Sequence, residues 1–172
     1  MISRLTLDEL NRMAADDFEQ CLAGIFEHSP WVPRQVAPQR PFAGIEALHA
    51  AMVRRVAQAS ARQQLELIRA HPELAGKAAV RGELTAESSR EQAGAGLDQC
   101  SPEEYRELTE LNAAYLEKFG FPFILAVRGY DRQGILQQFR RRLALDANQE
   151  REESLQQIYR IARFRLDDLI QE

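Results

Sequence analysis

Phe121-Pro122-Phe123-Ile124-Leu125-Ala126-Val127 is the stretch on which the fold class turns. Aromatic and β-branched residues give it the composition of a strand, yet no other segment offers it a convincing partner. It is therefore expected to run as a buried, extended apolar connector near residues 121–128, with helices on either side. Before it, Ser101-Pro102-Glu103-Glu104 combines an N-cap, a proline at the first helical position and a capping box. Tyr105, Leu108, Asn112, Tyr115 and Phe119 then recur at helical spacing until Gly120 ends the helix. After it, Ile135, Phe139 and Leu143 mark one helix, and Leu155, Ile158, Tyr159, Ala162, Leu166 and Leu169 a longer one.

Upstream the same periodicity continues. Asp16-x-x-Glu19 resembles a capping box and Phe18, Leu22, Ile25 and Phe26 follow at helical spacing, an early amphipathic helix. Pro30, Pro33, Pro38 and Pro41 fall between Ser29 and Gly44, which predicts a long ordered loop pinned by Trp31 and Phe42. Ile45, Leu48, Met52 and Val56 form the next stripe, and Leu65 and Ile68 carry a further helical segment toward His71. Pro72 suits the first turn of a new helix through Leu74 and Ala78, leaving His71 at a junction. Beyond Arg81-Gly82, Thr85 is placed to cap a short helix ended by Gly94 and Gly96, with Ser88, Glu91 and Gln92 on one face. The expected fold class is all-α: a single-domain helical bundle over residues 1–172, long enough to enclose its own core.

A formal net charge of -4 gives no general attraction to phosphate backbones, which argues against nucleic acid as a partner. Of the 22 basic residues 20 are arginines, and their tight cluster, Arg140-Arg141-Arg142, reads as a solvated helix face rather than a binding patch. Cys21 and Cys100 belong to no CxxC or Cys/His spacing, so neither a metal site nor a disulfide framework is expected, only two reduced, mostly buried thiols. The opening MISRLTLDEL lacks a continuous apolar region, no apolar run is long enough for a membrane span, and Leu169-Ile170-Gln171-Glu172 is not an SKL-type address. A cytoplasmic protein with no membrane partner is expected.

Three histidines differ in setting. His28 lies beside the proline-rich loop and His49 within a helix, whereas His71 precedes a proline at a helix boundary, an address from which a side chain can aim into a cleft. Taken singly, each candidate also has a structural explanation. A His-Pro pair can simply punctuate a helix end, Ser88-x-x-Glu91 can be a capping box or an exposed face, and the 121–127 run can be core. A cofactor-free acid-base enzyme and a non-catalytic helical interaction module both remain open at this point. They differ in whether His71 and Glu91 must converge on one small pocket.

Read together, the segments resemble the 2-oxo-4-hydroxy-4-carboxy-5-ureidoimidazoline (OHCU) decarboxylase family along nearly the whole chain. The resemblance is carried by Phe26-Glu27-His28-Ser29-Pro30-Trp31, Arg40-Pro41-Phe42, Ala70-His71-Pro72-Glu73-Leu74-Ala75 and Ser88-Ser89-Arg90-Glu91-Gln92-Ala93-Gly94-Ala95-Gly96-Leu97. It continues in Leu111-Asn112-Ala113-Ala114-Tyr115, Lys118-Phe119-Gly120-Phe121-Pro122-Phe123 and Ile161-Ala162-Arg163-Phe164-Arg165-Leu166, in matching order and spacing. It implies an all-helical enzyme that converts OHCU, a product of the urate pathway, to (S)-allantoin with neither metal nor organic cofactor. Its catalytic pair would fall on His71 and Glu91. Substrate contacts would come from Pro72, from Ser88, Ser89, Arg90 and Gln92, from backbone groups of Phe123, Ile124, Leu125, Ala126 and Val127, and from Arg165, with Arg163 as its rival. OHCU itself is the implied partner, and a homodimer the assembly to consider. The substrate carries an imine beside the carbon bearing its carboxylate and hydroxyl, so it holds its own electron sink where decarboxylases ordinarily need a cofactor or metal.

Overall fold

The structure is a computed structural model and describes residues 4–171. Met1, Ile2, Ser3 and Glu172, used above for the expected lack of a leader and of a peroxisomal address, lie outside the described residues. In chain order the helices are α1 (Leu7–Arg12), α2 (Ala15–Cys21), α3 (Trp31–Val36), α4 (Ile45–Ala57), α5 (Ala61–Ala70), α6 (Lys77–Val80), α7 (Ala86–Gly94), α8 (Pro102–Phe119), α9 (Arg132–Leu143) and α10 (Ala147–Leu169). Two strands of two residues each, β1 (Leu5–Thr6) and β2 (Ile170–Gln171), pair in parallel with Leu5 opposite Ile170. The protein is thus predominantly helical, as its periodicity predicts. None of its described helices is long and apolar enough to cross a membrane. The chain forms two compact units, one of residues 1–70 with 159–172 and one of residues 71–158.

In the first unit, α1 is a helix the sequence reading lacks. Thr6 and Glu9 form its reciprocal capping box, with Glu9 N–H donating to Thr6 Oγ1 at 3.2 Å and Thr6 N–H to Glu9 Oε2 at 3.3 Å. Asp16 does not cap α2; Ala14 holds that position, and Asp16 and Asp17 lie in the first turn, where a negative charge suits the helix dipole. The helix stops at Cys21, so Leu22, Ile25 and Phe26 are buried in the turns beyond it. Cys21 is exposed and Cys100 half-buried, so the expectation of two mostly buried thiols is corrected, although both are free.

The long loop expected over Ser29 to Gly44 is largely replaced by α3 and a 3-10 turn at Ala37–Gln39. Pro33 stands in the first turn of α3, where a missing N–H breaks no intrahelical bond. Arg40 fastens the segment: Nη1 donates to the carbonyls of Leu10 at 2.9 Å and Met13 at 2.6 Å, closing the end of α1. Asn11 meanwhile pairs in both directions with the Phe42 backbone, at 3.0 and 2.8 Å.

In the second unit the capping signals hold. Thr85 accepts from Ser88 N–H at 3.2 Å, the Ser101/Glu104 box is formed, and Gly120 ends α8 in the left-handed region at φ 77°. Pro72 does not open a helix, for α6 begins only at Lys77 and Ala75 takes a left-handed φ of 51°. Residues 122–127 belong to neither helix nor strand, and Phe121 and Phe123 to Val127 are buried.

Arg142 overturns the reading of the arginine run as a solvated face. It is 0% exposed and pairs with an equally buried Glu150 at 2.8 Å. Ile135, Phe139 and Arg142 fall at i, i+4 and i+7, so helical period places the arginine on the buried side of α9. Such a pair adds little over apolar packing, but breaking it by removing one partner costs about 3–5 kcal/mol. Tyr115 donates its hydroxyl to Glu150 at 2.5 Å; burial first, then that carboxylate, pushes the phenol well above its ordinary range and keeps it a donor.

Candidate active site

His71 is the first residue beyond α5 and is 7% exposed. The turn that follows it is held by two side-chain amides. Gln92 of α7 accepts from Ala75 N–H through Oε1 at 2.9 Å and donates through Nε2 to the Glu73 carbonyl at 3.3 Å. Asn112 of α8 donates through Nδ2 to the Leu74 carbonyl at 3.0 Å. With backbone groups of Glu73, Leu74 and Ala75 committed to α7 and α8, the chain has a substitute for the helical ladder that Pro72 alone would favour.

The candidate residues on α7 divide by exposure: Ser88 and Gln92 are buried, Glu91 is half-buried, and Ser89 and Arg90 are exposed. Gln92, expected to touch substrate, places both ends of its amide on the 73–75 turn, and so ties the turn after His71 to the helix that carries Glu91. Pro72 is half-buried at the start of that turn.

The backbone of the 123–127 run is also gripped from outside. Arg142 Nη1 donates to the Ile124 carbonyl, Ala126 N–H donates to Gln157 Oε1 at 3.0 Å, and Tyr130 N–H donates to the Val127 carbonyl at 3.0 Å. The Arg142 guanidinium lies 4.6 Å from the centre of the Phe123 ring, which itself stacks on Phe139 at 3.9 Å.

Arg165 lies in the first unit and is 5% exposed. Its Nη1 donates to the Gly24 carbonyl at 2.9 Å and reaches Glu27 Oε1 at 3.4 Å. Arg163 makes the surface pair instead, with Asp167 at 3.0 Å. Glu27, 1% exposed, stands in the Phe26 to Trp31 segment with no role that sequence assigned. Glu150 and Gln157 were missed as well, though their spacing with Ser154 and Ile158 puts them on the buried side of α10, a signal that apolar periodicity alone overlooks.

A cavity of about 490 Å³ on α7 is lined by Ala75, Val80, Leu84, Ser89, Gln92 and Tyr105 among others, but neither His71 nor Glu91 lines it. Among the described residues no group of three or more His, Cys, Asp or Glu is placed to hold a metal ion.

The sequence model of the OHCU decarboxylase family matches residues 11–167. This chain belongs to the OHCU decarboxylase family. The OHCU decarboxylase of Halalkalicoccus jeotgali is 39% identical over 168 residues, 98% of this chain and 93% of that protein. The uric acid degradation bifunctional protein PucL of Bacillus subtilis is 42% identical over 167 residues, 97% of this chain but 33% of its relative, so the chain spans a third of that protein's length. Among solved structures, (S)-allantoin synthase superimposes with a TM-score of 0.79 at 29% identity, over 96% of this chain and 54% of the other. An OHCU decarboxylase crystallised in the presence of (S)-allantoin, at 24% identity and a TM-score of 0.67, shares the fold over 90% of this chain and 96% of its own.

Proposed function

We propose that this chain decarboxylates OHCU to (S)-allantoin in urate breakdown, with His71 and Glu91 moving the protons. The observation that supports the reading is the Gln92 link: two hydrogen bonds tie the turn after His71 to the helix carrying Glu91, in a chain that matches this family over residues 11–167. On this reading His71 takes or shares the hydroxyl proton as the carbon–carbon bond breaks and carbon dioxide leaves. The electron pair passes into the adjacent C=N, whose nitrogen gains a proton. The nitrogen's proton comes from solvent, and return of the proton held by His71 to one face of the ureido-bearing carbon, as the enolate becomes the ketone, gives a single enantiomer. Glu91 sets the protonation state of His71 or shares its proton.

Arg165, rather than the surface-paired Arg163, is the proposed substrate arginine; Pro72, Ser88, Ser89, Arg90, Gln92 and the backbone of residues 123–127 are the other proposed contacts. The proposal includes residues 1–172 acting as one catalytic domain in the cytoplasm, without metal, organic cofactor, nucleic acid or membrane, and a homodimer as the assembly to test by light scattering.

The test is to generate OHCU in situ from urate and follow the optical activity of the product with and without the protein. The parent chain should accelerate formation of (S)-allantoin, and exhaustive chelation should leave its rate unchanged. His71→Asn should lower the rate by about 10²- to 10⁴-fold with helical content retained, and Glu91→Gln should be strongly impaired. A His71→Asn variant within about twofold of the parent would remove His71 from the acid-base role.

A further inference from the structure

We infer that Gln157 and Arg142 are positioning residues for the substrate-facing backbone of residues 123–127, presenting the peptide groups of Leu125; the inference rests on the proposed reading of that run as a substrate contact. A segment in neither helix nor strand has no ladder to fix the planes of its peptides, so each plane is set by other partners. Here side chains set most of them. Arg142 grips the Ile124 carbonyl and covers the Phe123 ring, Gln157 holds Ala126 N–H at 3.0 Å, and Tyr130 N–H closes on the Val127 carbonyl at 3.0 Å. The two side chains are themselves aimed. Glu150 pairs with Arg142 at 2.8 Å and Ser154 accepts from its Nη2 at 3.3 Å, while Gln157 Nε2 donates to Glu153 at 3.1 Å.

Leu125, 4% exposed, sits between the anchored residues, and among the described residues no protein hydrogen bond falls on its N–H or carbonyl. Buried peptide groups are nearly always paired, and a ring carrying amide-like N–H and C=O groups is a partner of the right chemistry. The expense of the buried arginine points the same way. An apolar pair of equal volume would often serve stability as well as Arg142 and Glu150 do, but it could not grip a carbonyl.

The full-length variants Gln157→Met and Gln157→Glu separate this role from a merely structural one, using OHCU generated in situ and a melt recorded in parallel. Methionine keeps length and apolar packing but offers Ala126 N–H no comparable acceptor. Its KM should rise roughly three- to tenfold, the effect of one lost hydrogen bond, with kcat little changed. Glutamate keeps the acceptor but sets a second carboxylate beside Glu153, so its Tm should fall while its KM stays near the parent value. A purely structural role predicts the reverse order, and a methionine variant with parental KM, or a glutamate variant with the higher KM, overturns the inference. If Gln157→Glu does not fold, the double variant Arg142→Met with Glu150→Met replaces it: a raised KM with a cooperative melt supports the inference, and an unchanged KM overturns it. A parent chain inactive on OHCU removes the proposed function together with this inference, whereas an active parent with indifferent variants removes the inference alone.

Discussion

Arg163 and Arg165 stand two residues apart on α10 in opposite surroundings. Arg163 is half exposed and pairs with an equally exposed Asp167, an arrangement worth at most about 1 kcal/mol. Arg165 has 4% of its side chain exposed against 1% for Glu27, and one guanidinium nitrogen, Nη1, serves both the Gly24 carbonyl and the Glu27 carboxylate. A lysine would replace the rigid guanidinium by one flexible ammonium and lose the N–H groups that the guanidinium carries beyond Nη1. Arg165→Lys should therefore lower kcat/KM by roughly ten- to a hundredfold and also lower Tm, while Arg163→Lys stays within about twofold in rate. Kinetics and melts of the two variants side by side decide it, and a crippled Arg163 variant beside an unaffected Arg165 one would reverse the assignment. Sequence could not settle this pair, because Asp167 and Asp168 offer equally good local partners while Glu27 is 138 residues away. Arg142 was misread for a related reason: three consecutive arginines look like a charged face, although position on the helical stripe that Ile135 and Phe139 begin outranks residue type in deciding which side is buried.

Elements whose signals are local were legible, and elements that depend on distant packing were not. α7 and α8 carry their caps within four residues, and α4, α9 and α10 run through enough turns for a stripe to emerge. α1 and α3 have six residues each, too few to propagate alone, so they exist because neighbours hold them: Arg40 closes α1, and α3 packs on α2 and α4. The α8 cap yields a pH prediction. Glu104 accepts from Ser101 N–H at 2.9 Å and from Arg132 Nε at 3.1 and 3.0 Å, and these donors, the Ser101 backbone first, hold its carboxyl below the ordinary value of 4.5. A carboxyl lowered on folding stabilises the folded chain fully above its ordinary value, and that contribution is lost as pH falls through the lowered one. Glutamine keeps the cap's hydrogen-bonding shape without the charge. Glu104→Gln should thus have a lower Tm than the parent at neutral pH, with the gap closing below about pH 4. A gap that stayed constant to about pH 3 would show that the charge contributes nothing.

At the scale of the whole molecule, the two compact units do not follow the order of the chain. The first unit is discontinuous, built from residues 1–70 and again from Tyr159 onward, and α10 supplies the second unit up to Ile158. No proline or glycine interrupts Ala147–Leu169, so the boundary after Ile158 falls inside one uninterrupted hydrogen-bond ladder. A helix propagates cooperatively, and melting one half of α10 removes the neighbour on which the other half extends. The family match, moreover, runs over residues 11–167 and so takes in both units. These facts predict a single cooperative unfolding transition, with calorimetric and van't Hoff enthalpies in agreement. The chain carries its own probes for the test. Trp31, the single tryptophan, reports on the first unit, while Tyr105, Tyr115 and Tyr130 report on the second against one tyrosine, Tyr159, in the first. Trp31 fluorescence, tyrosine near-ultraviolet dichroism and far-ultraviolet dichroism should lose their signals at one midpoint. Two calorimetric peaks, or a Trp31 midpoint displaced from the tyrosine one, would instead make residues 71–158 an independently folding domain, and the proposal of one catalytic domain over residues 1–172 would fall.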